Sequence, residues 1–169
     1  KKFSRIDAVK GEESFSIALP LQAAIVLVRS TIKSTITVET NFCATGNILG
    51  DETRLMQVFV NLLLNAAYSM GSYPESGQSI WVSLHQDEHT FVIQFKDSGP
   101  GIPPEVIEKI FEPFFTTRPK GEGTGLGLSV SLGIIEEMGG TLTVKSSLGE
   151  GATFIIRIPI DNERELTKD

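Results

Sequence analysis

The sequence predicts an α+β fold: a two-layer sandwich in which about three helices cover one face of a mixed, mostly antiparallel sheet. Pairs of strand-like runs separated by short turns indicate hairpins. The helical patterns are grouped rather than alternating regularly with strands. The 169 residues, 40% of them hydrophobic, suit one soluble domain with a core of ordinary size.

The first half of the chain predicts two helices and two short strands. Pro20 is tolerated in the first turn of the first helix. Asp51 is the expected N-cap of the second helix, which is followed by a loop. The predicted elements are a strand at 15–17, a helix at 19–30, a strand at 35–40 and a helix running to about Met70.

The second half predicts two hairpins with a long loop and a helix between them. The loop, 98–123, is rich in glycine and proline, and a loop of this length in a compact domain is usually functional or mobile. Gly139-Gly140 is a typical helix stop. The predicted elements are strands at 79–86 and 90–97, a short helix in PEVIEKIF, a helix at 124–138, and strands at 141–147 and 152–160.

Charge and composition exclude several classes of function. The net charge is −6 and no run rich in Lys or Arg occurs, which argues against a nucleic-acid surface. The apolar runs are too short to span a membrane. A single cysteine, Cys43, permits no internal disulfide and fits a reducing compartment. The opening KKFSRIDAVK carries no signal sequence, so we expect a cytoplasmic fragment of a longer protein, whose remainder is a candidate for membrane anchoring.

The stretch VFVNLLLNAAYSM places two amides on an otherwise apolar helix. Asn61 and Asn65 are four residues apart and therefore share a face. A buried amide left unpaired costs about 1–3 kcal/mol, so these side chains need partners. The partners are either another backbone or water at a domain edge, or a ligand site in which one Asn oxygen binds Mg²⁺ beside phosphates.

The stretch DSGPGIP follows a predicted strand directly. Asp97 therefore lies at a strand end, and Gly99 and Gly101 leave the backbone open to close approach. An ionised carboxylate accepts hydrogen bonds and suits an exocyclic amine such as that of adenine. The alternative is an ordinary Asp-Ser-Gly turn.

The stretch GEGTGLGLSV carries glycines at 121, 123, 125 and 127 and runs into a helix. Free N–H groups at a helix start suit phosphates. It is not a Walker loop, because Gly-Lys-Ser/Thr is missing. It is not a dinucleotide motif, because Leu126 and Leu128 stand where a further glycine would be needed. A hinge or plain flexible loop is the alternative.

The stretch FEPFFTTRPK joins these two motifs. Phe111, Phe114 and Phe115 would form a hydrophobic clasp that pins the loop over a ligand. Arg118 and Lys120 would supply charge to a terminal phosphate. The alternative is a satellite apolar cluster with solvated charges.

Four motifs together resemble the catalytic, ATP-binding domain of sensor histidine kinases, and the resemblance covers about residues 15–160. The motifs are NLLLNAAYSM, DSGPGIP, FEPFFTTRPKGEGTGLGLSV and GEGATF. The motif sequences are most similar to those of the nitrogen-regulation and dicarboxylate-sensing branch. The family shares its fold with gyrase-type and mismatch-repair ATPases and heat-shock chaperones. The resemblance implies ATP under a flexible lid, with 1–13 as a linker from an upstream dimerisation and phosphoacceptor region, 14–161 as the ATP-binding domain, and 162–169 as a polar tail.

The resemblance also implies roles for individual residues. Asn65 would bind Mg²⁺, Asn61 would lie in the same phosphate–metal neighbourhood, and Arg118 would join them in catalysis. Asp97 would contact the adenine amine, and Thr153 would close the adenine side. The remaining implied nucleotide-binding residues are Gly99, Gly101, Ile102, Phe111, Thr116, Gly123, Gly125, Leu126, Gly127 and Leu128.

Two departures from the family pattern bear on function. Tyr68 replaces a basic residue common in the family, so Arg118 would carry more of the phosphate contact. Asn61 stands where ATP-hydrolysing relatives have a glutamate, and an amide cannot act as a general base at neutral pH.

We therefore expect a kinase domain that presents the γ-phosphoryl group of ATP to a histidine on a separate dimerisation domain, with a response regulator downstream. His85 and His89 are expected to lie on a surface hairpin and not to be the acceptor. The alternatives are a stand-alone ATPase or anti-sigma-type serine kinase of the same fold, and a non-catalytic nucleotide-sensing or scaffold domain.

Overall fold

The computed structural model describes residues 13–71 and 77–161. The expected linker, apart from Glu13, and the expected polar tail lie outside the described residues, as does most of the loop after the second helix. The described part contains, in order, β1 Glu13–Ser16, α1 Ala18–Thr31, β2 Ile36–Phe42, β3 Asn47–Gly50, α2 Glu52–Gly71, β4 Gln78–Gln86, β5 Thr90–Asp97, α3 Pro104–Ile107, α4 Gly127–Glu137, β6 Thr141–Ser146 and β7 Ala152–Pro159.

The main sheet has five strands in the order β2-β4-β5-β7-β6. Only the β2–β4 pair is parallel in this sheet, and β4–β5, β5–β7 and β6–β7 are antiparallel. A separate two-stranded sheet pairs β1 with β3. These pairings confirm the predicted mixed, mostly antiparallel sheet and both predicted hairpins.

The core lies between this sheet and the three longer helices. Alternate residues of β7, from Ala152 to Ile158, are buried, whereas the residues between them are more exposed. α2 packs against α1, α4, β4 and β5, which makes it the central helix of the covering layer. One sheet face is therefore covered, as the sequence predicts. None of the described helices combines the length and the apolarity needed to cross a bilayer.

α2 owes its position to an apolar face and a defined start. Its buried residues recur at helical spacing from Leu55 to Met70. Asp51 immediately precedes the helix, and its Oδ1 accepts a hydrogen bond from the Arg54 backbone N–H at 3.0 Å. This is N-cap geometry, so the expected cap is confirmed.

Two local features differ from the prediction. β3 is missed because four residues ending in a glycine give too short a pattern, and the strand forms only by pairing with the distant β1. α4 begins at Gly127 rather than Thr124. Instead of entering the helix, Thr124 uses its hydroxyl to accept a hydrogen bond from the Leu126 N–H at 3.3 Å.

Replacing Asp51 with alanine removes the N-cap acceptor of α2. We expect Asp51→Ala to lower the free energy of unfolding by about 1 kcal/mol, measured by urea denaturation. Asp51→Asn keeps a side-chain oxygen and is the matched control, with a change well below that of alanine. Equal losses in the two variants would show that charge rather than capping carries the effect.

Candidate functional site

A cavity of about 550 Å³ lies between α2, the long loop after β5, the start of α4 and the adjoining ends of β5 and β7. It brings together residues that are far apart in the sequence. The predicted site residues that line it are Asn61, Asn65, Asp97, Ile102, Thr116, Arg118, Gly123, Gly125, Gly127 and Leu128.

One face of α2 forms a wall of the cavity. Asn61, Asn65 and Ser69 are spaced four residues apart, and all three line it. Eight residues of helix span about 12 Å, so these side chains mark an elongated site. The cavity therefore runs along the helix. Asn61 and Asn65 meet different elements, whereas Ser69 donates to the Ala66 carbonyl of α2 itself at 2.8 Å.

At one end, Asn61 faces α4. Its Nδ2 donates a hydrogen bond to Ser131 Oγ at 3.1 Å, and Ser131 is 2% exposed. A Cβ atom on Gly127 would clash with Asn61 Oδ1, so glycine permits this close approach. Leu126, the N-cap residue, makes no side-chain cap bond. The first N–H groups of a helix lack intrahelical partners, which makes this end suited to an anion.

In the middle, Asn65 faces the long loop. Arg118 donates a hydrogen bond from its guanidinium to Asn65 Oδ1 at 2.6 Å. The guanidinium carbon also lies 4.0 Å from the centre of the Tyr68 ring. The Tyr68 hydroxyl donates to Glu122 Oε2 at 2.9 Å. Among the described residues, Arg118 is the one positively charged side chain that lines the cavity.

At the far end, Asp97 terminates β5 and is only 4% exposed. Its Oδ1 accepts hydrogen bonds from the Gly99 N–H at 2.8 Å and the Ala152 N–H at 3.3 Å. Burial raises the pKa of this carboxyl, and the two backbone donors oppose the rise. A Cβ atom on Gly151 would clash with the Asp97 carbonyl oxygen, so glycine there brings β7 against the carboxylate.

Some predicted site residues do not line the cavity: Gly99, Gly101, Phe111, Leu126 and Thr153. Thr153 is separated from it by strand alternation. Its neighbours Ala152 and Phe154 both line the cavity, so the Thr153 side chain lies on the opposite face of the sheet. The motif GATF thus contributes to the site through the residues on either side of the predicted one.

The other four support the cavity indirectly. Gly99 donates its N–H to Asp97, and Leu126 is the N-cap residue of α4. Gly101 has φ +78, and a Cβ atom there would clash with the carbonyl oxygen of Ser147, so glycine lets the loop pass the β6–β7 turn. Phe111 packs against the core.

The three phenylalanines of the loop have different surroundings. Phe115 lines the cavity, whereas Phe111 only packs against the core. Phe114 is 74% exposed and has φ 67, a left-handed conformation uncommon outside glycine. Its N–H donates to the Gly125 carbonyl at 2.8 Å, which joins the aromatic segment to the glycine segment. The expected clasp is thus divided among three environments.

Sequence reasoning missed several residues of the site. Ser131 follows Gly127 by one helical turn, so helical spacing would have found it. Ser69 extends the spacing of the two asparagines in the same way. Glu122 carries no such signal, because only the folded loop brings it to Tyr68.

The side chains available as metal ligands limit how a cation would be bound. Within residues 13–71 and 77–161, no three His, Cys, Asp or Glu side chains are grouped so that they could hold a metal ion. Asn65 Oδ1 accepts a hydrogen bond from the Arg118 guanidinium, so this oxygen already interacts with a positively charged group. These residues fit a metal bound mainly by ligand oxygens with one amide oxygen from the protein.

The α+β sandwich and its cavity along a helix define a nucleotide-binding class of domain. Residues 50–162 match the family described as "Histidine kinase-, DNA gyrase B-, and HSP90-like ATPase". The chain belongs to this family, whose domain binds ATP, and within it to the catalytic domains of two-component sensor histidine kinases.

Individual relatives agree with this assignment. The chain is 41% identical over 128 residues to the two-component sensor PprA of Pseudomonas aeruginosa, a match covering 67% of the chain and 12% of that protein. It is 44% identical over 112 residues to sporulation kinase A of Bacillus subtilis, covering 66% and 18%. The chain thus spans a small part of the length of these relatives.

Solved structures give the same result. A mycobacterial sensor histidine kinase, MprB, superposes with a TM-score of 0.76 at 28% identity, over 89% of this chain and 98% of that one. The catalytic domain of histidine kinase ThkA gives 0.74 at 31% identity, over 89% and 96%. The predicted fold class and family are confirmed.

The burial of Asp97 predicts how the free energy of unfolding depends on pH. Its pKa is higher in the folded chain than in the unfolded chain, so the folded state binds the proton more tightly. The folded state therefore loses stability as pH rises from the unfolded pKa to the folded pKa. Asp97→Asn carries no such charge and keeps an acceptor oxygen. We expect the free energy of unfolding of Asp97→Asn, relative to the unsubstituted chain, to rise as pH increases from about 4 to about 8, measured by urea denaturation.

Asp87→Asn is the control. Hydrogen bonds from Thr90 lower the pKa of Asp87 to about 2, so its carboxylate is ionised in both folded and unfolded chains above about pH 5. Its stability difference from the unsubstituted chain should therefore be flat above about pH 5, and should fall rather than rise between about pH 4 and about pH 5. A flat difference for Asp97→Asn as well would contradict the raised pKa.

Proposed function

We propose that this chain is the ATP–Mg²⁺-binding domain that transfers the γ-phosphoryl group to a histidine on a separate dimerisation domain, with a response regulator as the later acceptor. The observation that carries the proposal is the cavity wall formed by α2. Asn61, Asn65 and Ser69 face, in order, the start of α4, Arg118 and the Asp97 region. A ligand with an anionic end and an amine-bearing end fits this order.

The orientation of the nucleotide follows from the chemistry of the two ends. Asp97 offers carboxylate oxygens in a buried setting, which suits the exocyclic amine of adenine. The start of α4 offers backbone N–H groups beside Gly125 and Gly127, which suits phosphates. We place adenine at Asp97 and the phosphates between Asn61 and α4.

Magnesium would lie between these ends. Asn65 supplies one neutral oxygen, and the phosphates supply the others. When bound, Mg²⁺ would supply charge neutralisation for the transfer. Arg118, held within hydrogen-bonding distance of Asn65, supplies positive charge to the same region.

Transfer to an outside group, rather than to water, is favoured by Asn61. Its amide donates to Ser131 and cannot act as a general base. Phosphoryl transfer depends mainly on positioning and charge neutralisation. An acceptor imidazole nitrogen forms a bond to the γ-phosphorus as the bond to the bridging oxygen breaks, and ADP leaves.

The acceptor belongs to another domain in this proposal. His85 lies on β4 and His89 in the turn after it, and neither lines the cavity. We place the domain in the cytoplasm, where ATP is available, with membrane anchoring assigned to other parts of the full-length protein.

The test is an ATP titration of the chain by calorimetry, with and without Mg²⁺, followed by transfer from γ-labelled ATP to a separately produced histidine-bearing domain. We expect Mg²⁺-dependent binding and label on the acceptor, with little phosphate release by the chain alone. Asn65→Ala should lose the Mg²⁺ dependence, because it removes the amide oxygen. Asn41→Ala, an exposed asparagine outside the cavity, is the matched control and should bind normally.

Each outcome separates the alternatives. Absence of ATP binding by the folded chain would favour a scaffold domain. Steady phosphate release by the chain alone would favour an ATPase and contradict the role given to Asn61. Label on a serine-bearing protein but not on histidine would favour the serine-kinase alternative.

A further inference from the structure

The cavity depends on a single cation from a loop. Arg118 is the one Lys or Arg side chain that lines it in the described part of the chain, and it lies outside any helix or strand. α2 carries no Lys or Arg after Arg54, which points elsewhere and pairs with Glu137 of α4. Within the described residues, a polyanion in the cavity would therefore meet side-chain positive charge at Arg118.

A long side chain on a loop needs support to stay in one place. Arginine has many rotamers, and fixing it costs conformational entropy. Tyr68 supplies a flat surface for the guanidinium, 4.0 Å from the centre of its ring. Tyr68 is on α2 and is therefore fixed to the core, whereas Arg118 is not.

The ring itself is held in place from the loop. Its hydroxyl donates to Glu122, four residues after Arg118. A tyrosine phenol is a neutral donor at physiological pH, and this hydrogen bond raises its pKa further. Tyr68 thus links α2 to two points of the same loop.

We propose that Tyr68 is a positioning residue that holds Arg118 beside Asn65 in the middle of the cavity, in place of a cation borne by α2 itself. The inference rests on the proposed function, because it assumes a nucleoside triphosphate as the ligand. ATP carries more negative charge than ADP, so ATP gains more from the positive charge of Arg118.

The contact with Tyr68 also explains how Arg118 can serve two partners. Arg118 hydrogen-bonds to Asn65 Oδ1, the oxygen assigned to the metal. Binding of the metal–nucleotide requires that hydrogen bond to be exchanged for phosphate oxygens. Stacking on Tyr68 needs no particular hydrogen-bond partner, so it keeps the guanidinium at the cavity during the exchange.

The test compares ATP and ADP affinities by calorimetry in excess Mg²⁺. We expect Tyr68→Ala to weaken ATP binding by about tenfold, as loss of a cation–π contact and of preorganisation allows, and ADP binding by much less. Arg118→Ala should do the same or more. In the Arg118→Ala background, Tyr68→Ala should add little, because the group it positions is already gone.

A second experiment asks whether a positive charge on α2 can replace that of Arg118. Tyr68 lines the cavity, so a lysine at this position projects its ammonium into the same region. Tyr68→Lys combined with Arg118→Ala should regain most of the lost ATP-over-ADP preference. Arg54→Ala removes a cation from the same helix outside the cavity and is the control, with an unchanged preference.

The failures are distinguishable. Additive losses for Tyr68→Ala and Arg118→Ala, equal losses for ATP and ADP, or no rescue by Tyr68→Lys would overturn the positioning role while leaving ATP binding intact. A folded chain that binds neither nucleotide would overturn the proposed function and this inference with it. Tyr68→Phe, which keeps the ring but not the Glu122 bond, should retain most of the preference, and its unfolding free energy serves as the folding check.

Discussion

The need of the Asn61 and Asn65 side-chain amides on α2 for polar partners is the constraint on which the site depends. The helix must bury its apolar face against the sheet to form the core, which fixes the direction of the polar face beside it. Half-buried amides there cannot be packed against apolar groups without a large cost, so they need polar partners. Ser131 and Arg118 meet Asn61 and Asn65, and the space left between these contacts is the cavity.

Acidity of the whole chain and affinity for an anion are compatible because the anion site uses few charges. The net charge is −6, yet the proposed phosphate end would be formed by the backbone at the start of α4 and the glycines that open it, with one arginine nearby. Backbone N–H groups carry partial positive charge without adding to the net charge. Asp97 is placed at the other end of the helix wall, where its negative charge does not oppose the phosphates.

Much of this arrangement could be predicted from the sequence because it is local. The spacing of Asn61 and Asn65 places them on one face, and the position of Asp97 after a strand places it at a sheet edge. Both follow from the fixed periods of helix and strand. The position of Thr153 outside the cavity has the same origin, since alternation along β7 brings Ala152 and Phe154 to the cavity instead.

The rest depends on contacts between distant segments. β3 forms only by pairing with β1, and the need for glycine at position 101 comes from Ser147 in a turn far along the chain. The contacts of Arg118 with Tyr68 and Asn65 likewise require the loop to fold back on α2. No local pattern encodes such pairings, so they become visible only in the folded chain.

The most direct test of the central claim is nuclear magnetic resonance of the labelled chain with ATP and Mn²⁺ in place of Mg²⁺. The account predicts that the paramagnetic ion broadens the side-chain amide signal of Asn65 and the backbone signals near Gly125 and Gly127, only when ATP is present. Signals of the distant turn at Asp87 should stay sharp. Broadening centred on the opposite sheet face, around Thr153, or broadening that does not need ATP, would contradict it.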